Sequence, residues 1–234
     1  DGEILESQKY VGPAYDSKIF GSMQSNRIRI INTAEGNGVN ISGAHSTHKS
    51  LIISTPGELN LDLDSAPDLD YNPAPAYLES PEIKLNANDI FSSGDIIVTK
   101  GKNSTEQKLE RTKIKGSNIS IIAKKKNHLD AAIIDGKNII MQGSDIKFGT
   151  EEITNTQSSS SEDGANGFLG IGKWNKSSNK KAEQKNNIGT SIIAENNLSL
   201  QSTSGDIKLS GTSIEAGNNL SIKAKKDLKL DGVI

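Results

Sequence analysis

The sequence predicts an all-β protein, specifically a parallel β-helix (β-solenoid) with two non-repetitive excursions. The phrase TSIIAENNLSL at 190–200 returns as TSIEAGNNLSI at 212–222, with eight of eleven positions identical. Repeats of roughly 20 to 50 residues mark units that bury their apolar faces only against copies of themselves. All six prolines lie at or before Pro81, so every later backbone N–H can join a hydrogen-bond ladder. These observations indicate a stack of short strands.

Each copy of the repeat has the alternation of a strand with one buried face. Leu198 and Leu200 flank Ser199 in the first copy, and Leu220 and Ile222 occupy the same places in the second. Gly and Asn residues, which tolerate left-handed backbone conformations, interrupt the strands after three to five residues. Two short strands and two corners therefore make one rung of about 20 residues.

Looser versions of the rung recur upstream. An antiparallel hairpin sheet would need two-residue turns, whereas here the same phrase returns only after a full lap of about 20 residues. Strands are therefore expected to pair in parallel with their copies one lap away. The further rungs are assigned to NRIRIINTAEGNGVNISG (26–43), SLIISTPGELNLDLD (50–64), DIIVTKG (95–101), KGSNISIIAKK (115–125) and GKNIIMQGSDIKFG (136–149).

Two stretches break the pattern within a single predicted domain spanning 1–234. Residues 64–82 hold four of the six prolines and are assigned to an excursion off the rod. Residues 154–187 are rich in Ser, Lys and Asn, and are expected to be an appendage between two rungs, either disordered or a long hairpin pinned at its tip. A small apolar island in this insertion is the one candidate interaction surface. Its members are Phe168, Leu169, Ile171 and Trp174.

Composition sets outer limits on function. The 27 basic and 29 acidic residues nearly balance, which offers no electrostatic footprint for nucleic acid or a membrane surface. Only 33% of residues are hydrophobic, and cysteine is absent, so a narrow core without disulfides is expected. No apolar run is long enough for a membrane span. The acidic start at 1–8 lacks the regions of a signal peptide, so the chain is expected to be an internal piece.

Metal chemistry is considered at two places. The carboxylates of Asp62, Asp64, Asp68 and Asp70 could line a calcium site, but their spacing matches no calcium loop, which favours a solvated strand edge and loop. His45 and His48 could supply two zinc ligands, but no third ligand is evident, and a surface turn is expected. No metal site is predicted.

Other motifs also have simple structural interpretations. The glycine-rich stretch at 164–174 follows no predicted strand and lacks a GK[ST] ending, so it does not predict phosphate binding. Lysines at 124–126 and at Lys225 and Lys226 could attract anionic sugars or lipids, but they also protect exposed strand edges. With three histidines and no nucleophile–base grouping, neither a catalytic residue nor a cofactor is predicted.

A family resemblance adds to this interpretation. The segment at 21–43 resembles a phrase that recurs in filamentous haemagglutinins, a strand followed by a T-x-x-G-x-G-V turn. The later rungs and the Ser/Lys-rich interruption resemble the haemagglutinin-repeat segments of the same exoproteins of two-partner secretion. The resemblance covers about residues 16–234, apart from the excursions. The turn motif is made here by Thr33, Gly36, Gly38 and Val39.

The resemblance implies a right-handed coil and a rod segment of a large protein secreted to the bacterial surface. Such a rod would hold an adhesive or toxin-delivery region toward a target cell, with a receptor or surface glycan as a possible partner. The parent could be an adhesin or a contact-dependent growth inhibition effector. The outer-membrane transporter would be engaged through a region outside this fragment, because the expected Asn-Pro-Asn motifs are absent.

An enzymatic alternative stays open beside the non-enzymatic rod. Parallel β-helices also host polysaccharide lyases and hydrolases, which place several carboxylates in an exposed groove. Few aromatic residues (4%) are present for stacking on sugars, which favours the rod. An exposed groove with three or more carboxylates would favour the enzyme.

Two details of the stack can be predicted. Leu198 is expected to lie directly above or below Leu220 and to point into the lumen, so that Leu220→Asp would bury an unpaired charge. Asparagines at one turn are expected to form a ladder, with their amides bonded to the backbone one rung away. The ladder members are Asn196, Asn197, Asn218 and Asn219.

Overall fold

The computed structural model describes residues 17–19, 21–62, 74–165 and 174–232, with the backbone alone at 159–165 and 174–179. All of its regular structure is β-strand. The strands are β1 Ser17–Ile19, β2 Met23–Ile31, β3 Val39–Ile41, β4 Ala44–Ser54, β5 Glu58–Asn60, β6 Tyr77–Glu79, β7 Glu82–Ala87, β8 Asp89–Ser92, β9 Gly94–Lys100, β10 Ser104–Arg111, β11 Lys113–Ala123, β12 Lys126–Asp130, β13 Ile133–Gly143, β14 Asp145–Ala165, β15 Trp174–Gly189, β16 Ser191–Ser202, β17 Ile207–Ser210, β18 Ser213–Ala216, β19 Asn219–Lys223 and β20 Leu228–Asp231.

Two parallel sheets form the walls of the solenoid, and the chain crosses from one to the other twice in each lap. The first sheet stacks β2, β4, β6 with β7, β11, β13, β16, and β18 with β19. The second stacks β1, β3, β5, β8, β12, β14, β17 and β20. Each strand pairs in parallel with its counterpart one lap away, which confirms the predicted parallel β-helix. Its right-handed coiling stays a prediction.

The core is a narrow lumen between the two sheets. Because side chains alternate along a strand, every second residue of each rung points inward. Leu198 pairs with Ile139 on one side and with Leu220 on the other, so the predicted alignment of the two leucines is confirmed. One fully lined-up column of buried side chains on the first sheet consists of Leu51, Ile83, Ile119, Ile139 and Leu198.

An asparagine ladder runs along the bend of the first sheet. The Nδ2 of Asn219 donates to Oδ1 of Asn197 at 2.8 Å, and Asn197 donates in turn to Asn138 at 2.9 Å. Asn138 donates to Asn118 at 3.1 Å, so the ladder crosses four layers. The ladder was predicted, but its bonds join side chain to side chain, not side chain to backbone. Each amide can be donor and acceptor at once, which lets one residue type continue the chain of bonds.

Adjacent to this ladder, a second and shorter one joins the other predicted pair. The Nδ2 of Asn218 donates to Oδ1 of Asn196 at 3.3 Å. The backbone N–H of Asn218 also donates to the carbonyl of Asn196, at 2.8 Å. All four predicted asparagines therefore stack in register.

One corner of the rung, where the second sheet leads back to the first, has a characteristic backbone. In the tight version of this corner, a residue with positive φ makes the turn: Gly21 (φ 95), Gly43 (φ 84), Ala131 (φ 50) and Gly211 (φ 53). Positive φ suits glycine, which has no Cβ. Ala131 is the one non-glycine residue with positive φ in the described part of the chain.

The interruptions of the stack all fall at this same corner. They come after β5, after β8 at 94–111, and within β14 from Thr150 until Gly189. Each time, the next rung resumes in register with the last, as Ile146 against Ile207 shows. The interruptions are therefore additions at one edge of the rod.

Two sequence-based assignments need correction. DIIVTKG is not a rung, because β9 pairs antiparallel with β10 in a hairpin outside the stack. Tyr77–Glu79 fell within the predicted excursion 64–82, yet β6 pairs with β4 and β11 in the first sheet. Pro81 is tolerated between β6 and β7 because only its carbonyl is used there, accepting from the N–H groups of Ser117 and Asn118. Of the two alternatives for 154–187, the structure has the long hairpin.

Candidate functional site

The two hairpins join into one antiparallel sheet beside the rod, which we call the side sheet. It consists of β9, β10, β14 from Thr150 onward, and β15, in the order β9-β10-β14-β15. The long hairpin is paired from Thr150 with Gly189 to Ala165 with Trp174. The shorter hairpin attaches to it where Thr105 pairs with Thr156. The hairpins therefore support one another instead of projecting singly.

A small apolar cluster seats the side sheet on the rod. Leu109 of β10 and Ile153 of β14 pack over Ala131, and all three are at least nine-tenths buried. Ile96 and Ile188 pack against the same cluster. Ala131 makes the tight corner between β12 and β13, where no insertion interrupts the stack. The side sheet therefore covers this turn with positive φ.

Arg111 ties the two hairpins to the rod. Its Nε donates to the carbonyl of Ala131 at 2.6 Å, and its Nη2 donates to Ala132 at 3.0 Å and to Gly189 at 2.6 Å. Gly189 is the last residue of the long hairpin. One guanidinium therefore binds both the corner at Ala131 and the end of β15. Burial lowers the pKa of Arg111, but a guanidinium stays charged at any ordinary pH. Sequence patterns did not single out this residue.

Two buried threonines close the bases of the hairpins. Thr190 follows the long hairpin, and its Oγ1 donates to the carbonyl of Leu129 at 2.7 Å. Thr112 follows the short hairpin, and its Oγ1 donates to Oδ1 of Asp62 at 2.7 Å. Thr190 begins the repeated phrase TSI, so the repeat marks it as a recurring position. The repeat does not predict its role at the base of a hairpin.

Most of the predicted interaction island falls, in the sequence, between Ala165 and Trp174, the last described pair of the long hairpin. Phe168, Leu169 and Ile171 fall outside the described residues, as does the side chain of Trp174, the first residue of β15. The interaction surface therefore stays a prediction.

Apart from Ile153 and Ile188, the described side chains of the long hairpin are mainly polar, and most of those on β15 are solvent-exposed. Lys185 donates to Oε1 of Glu152 across the two strands at 3.0 Å, and this hydrogen bond raises the pKa of Lys185. Lys181 lies 3.9 Å from Glu183. Such exposed pairs add little stability, since water screens them.

The two candidate zinc ligands differ in environment, which corrects the prediction of a surface turn. His45 is in β4 and fully buried, with Nε2 at 2.9 Å from the carbonyl of Ser42. His48, three residues later in the same strand, is exposed. Burial lowers the pKa of His45, so its imidazole is neutral at neutral pH. The described residues contain no group of three or more His, Cys, Asp or Glu placed to hold a metal.

Of the four candidate calcium ligands, only Asp62 lies in the described part of the chain. It accepts from Thr112 Oγ1 and from the backbone N–H of Ser93. Burial raises the pKa of Asp62 to about 6 despite these bonds. Asp62 is half-buried and hydrogen-bonded, and it bridges two successive rungs at the corner where the stack is interrupted.

Comparisons with known proteins identify a matching family and two relatives. A family model described as hemagglutinin repeat matches residues 169–232. A hemolysin of Proteus mirabilis is 33% identical over 99% of this chain, and a hemolysin of Serratia marcescens is 30% identical over 100% of it. The chain spans only 13% of the length of each relative. No solved structure matches it.

The stacked rungs, the in-register repeats and these matches agree on one family. The predicted resemblance is confirmed, and with it the predicted location. Among the described residues no helix has the length and hydropathy to span a membrane. Residues 169–232 match the hemagglutinin-repeat family, and the whole chain is similar to exoproteins of two-partner secretion, which are secreted or displayed at the cell surface.

Proposed function

We propose that this chain is a rod segment that separates a functional region of its parent exoprotein from the producing cell. The observation that supports this most is the continuous parallel pairing of the layers. Layers meet in parallel from Ser17 against Val39 to Ser210 against Asp231, although insertions of very different length intervene. A stack that keeps its layers aligned through such insertions extends regularly, as a spacer must. Each rung also needs only its neighbours to fold.

The parent protein is proposed to act on target cells. Its relatives carry the name hemolysin, which adds a third possibility to the adhesin and the growth-inhibition effector. In each case the rod would present the active region, and an outer-membrane transporter would be engaged through a region outside this fragment. A target-cell receptor or surface glycan is the proposed partner at the far end.

We propose no catalytic role for the segment. The one described carboxylate with a strongly raised pKa, Asp62, is engaged by Thr112 and Ser93 and serves as a bridge between rungs. The β-helix lyase or hydrolase is the weaker candidate, because its groove of clustered carboxylates has no counterpart among the described residues.

Deleting one whole lap tests the spacer function. Removing 190–211 from the full parent protein joins Gly189 to Thr212, which opens the equivalent copy of the repeat, so every later strand keeps its phase. We expect export and action on target cells to persist. The matched control removes only 190–200, which shifts the following strands to the wrong sheet and is expected to abolish folding of the rod.

The decisive outcome is a whole-lap variant that is folded and exported but inactive. That result would contradict a spacer, since it would show that this lap contributes specific contacts. Urea unfolding of the isolated chain with the same two deletions provides the folding check.

A further inference from the structure

The outer face of the second sheet holds a cavity built from successive layers. Asn40, Asn60, Phe91 and His128 occupy the same register position on β3, β5, β8 and β12, one above the next. With Lys18 of β1 at one end, they line a cavity of about 470 Å³. Two carboxylates, Asp62 and Asp130, also lie in its wall.

The amide end of the cavity has unused hydrogen-bonding capacity. The Nδ2 of Asn60 donates to Oδ1 of Asn40 at 2.9 Å. Each side-chain amide has two donors and an acceptor, so the Nδ2 group of Asn40 and the Oδ1 of Asn60 remain available to a ligand. One donor and one acceptor on successive layers suit a ligand with more than one hydroxyl group.

Two rings form the opposite end of the cavity. The centroids of Phe91 and His128 lie 5.7 Å apart, with their planes at 82°. The two rings make a bent apolar wall, of the kind against which the C–H face of a sugar ring packs. Burial is the main cause that lowers the pKa of His128, so the imidazole is neutral at neutral pH. Among the described residues, neither of its nitrogens has a hydrogen-bond partner, so one donor and one acceptor are available.

Two buried polar atoms without partners lie behind the same wall. Ser92 is 5% exposed, and its Oγ has no partner among the described residues. The Oδ1 of Asp130 is likewise buried and unpartnered, while its Oδ2 accepts from Lys147 Nζ at 3.2 Å. Ser92 pairs with the buried Leu129, so its side chain faces the lumen, and neither of these two atoms is accessible from the cavity. Hydrogen bonds to a ligand must therefore come from the paired amides and from His128.

The balance of charges narrows the ligand class. A phosphate or other anion would face the carboxylates of Asp62 and Asp130. A free cation would find Asp62 already bonded to Thr112 and Ser93, and Asp130 already paired with Lys147. A neutral molecule with several hydroxyl groups and one apolar face suits both the paired amides and the rings.

We propose that this cavity binds a neutral pyranose unit, with Asn40 and Asn60 bonded to its hydroxyls and the ring face packed against Phe91 and His128. The rod would then carry a saccharide site of its own, separate from the region it presents. The site does not depend on the spacer function, since the lap deleted in the spacer test (190–211) contributes no residue to it.

The test uses the whole chain and the methyl glycosides of glucose, galactose, mannose and N-acetylglucosamine. Binding is followed by NMR shifts of the Asn40 and Asn60 side-chain amides. We expect a saturable shift with at least one glycoside and a dissociation constant on the order of 1 mM, as for a weak small-ligand site. Asn60→Ala and Phe91→Ala should each weaken binding about tenfold, a loss that corresponds to one or two contacts.

Asn138→Ala is the matched control, because it removes a member of the asparagine ladder on the other sheet. Binding should be unchanged in this variant, and urea unfolding should show all three variants folded. No shift with any glycoside would overturn the proposal, as would binding that survives both cavity substitutions. Shifts of the same amides with inorganic phosphate or calcium instead of the glycosides would also overturn it.

Discussion

The burial of a residue in this protein depends on the layer it occupies as much as on its residue type. Leu198 and Leu220 occupy the same place in the repeat and pair directly with each other. Leu198 has layers on both sides and is 1% exposed, whereas Leu220 is 52% exposed in the last described layer of its sheet. The repeat alone therefore assigns Leu220 a burial that the isolated chain does not provide.

The first prediction follows from that difference. Leu198→Ala removes a fully buried side chain and should cost about 2–5 kcal/mol of unfolding free energy, since a cavity remains between two layers. Leu220→Ala should cost well under half as much. Urea unfolding of both variants measures this, and equal costs would mean that Leu220 is covered in solution. The sequence predicts a large loss of unfolding free energy for Leu220→Asp. We expect that loss for Leu198→Asp instead, because Leu198 is the buried residue and its replacement would bury an unpaired charge.

The second prediction concerns the pH dependence of stability at Asp62. Its pKa is about 6 in the folded chain against an ordinary value of 3.8. The folded state therefore binds the proton more tightly, so its stabilising effect is fully present below pH 3.8 and is lost as the pH rises through 6. The amide introduced by Asp62→Asn keeps an oxygen acceptor for Thr112 without the charge. This variant should thus be more stable than the unmodified chain at pH 7.5, by on the order of 2 kcal/mol.

Urea unfolding at pH 4 and pH 7.5 tests this sign. The advantage of Asp62→Asn should shrink toward zero at pH 4, and Asp227→Asn, which alters an exposed carboxylate, should show no comparable difference between the two pH values. His45 and His128 titrate in both proteins and cancel in the comparison. If Asp62→Asn is instead less stable than the unmodified chain at pH 7.5, the charged form is the one that the fold favours.

At the scale of elements, the side sheet and the rod are held together by few contacts. The cluster of Leu109, Ile153 and Ala131 is small, and Arg111 supplies the polar links to Ala131, Ala132 and Gly189. Rungs, by contrast, share a ladder along every strand. The side sheet should therefore open locally without unfolding the stack.

The third prediction tests that separation through Arg111. Arg111→Ala removes three charge-assisted hydrogen bonds, worth together on the order of 2–3 kcal/mol in local opening. Amide hydrogens of β9, β10 and β15 should exchange about a hundredfold faster, while those of Ile139 and Leu198 keep their protection. Lys108→Ala, a change at an exposed side chain of the same hairpin, is the control. Equal loss of protection in the rungs would show that the side sheet is integral to the rod.

Sequence patterns identified the rungs well and the side sheet poorly. The rungs from β11 onward were predictable because alternating apolar residues and Gly or Asn corners return at a fixed interval. DIIVTKG was misassigned because a hairpin strand next to the rod alternates in the same way as a rung strand. A usable signal was the neighbouring STEQKLER, whose alternation has almost no apolar members and so cannot line a lumen.

The cavity was also out of reach of sequence patterns. Its four central residues, Asn40, Asn60, Phe91 and His128, come from four different strands and are successively 20 to 37 positions apart, so no local motif contains two of them. Likewise, Arg111 contacts residues 20 to 78 positions away. Only the register of the stack brings these groups together.

At the scale of the whole molecule, the distance between two residues along the rod axis depends on the number of layers between them and not on their separation in the sequence. Lys18, His128, Lys147, Lys208 and Lys229 all lie in one column on the outer face of the second sheet. From His128 to Lys147 the chain uses 19 residues to climb one layer, and from Lys147 to Lys208 it uses 61. Because paired strands lie about 4.8 Å apart, both steps should add the same height.

Pulsed electron paramagnetic resonance between nitroxide pairs measures this directly, and the absence of native cysteine makes labelling simple. With one label at position 18, the second is placed at 128, 147, 208 or 229, which lie four, five, six and seven layers away. We expect distances that rise in equal steps of about 4.8 Å, to roughly 34 Å for the last pair. A step from 147 to 208 that is several times larger than the step from 128 to 147 would contradict the stacked rod.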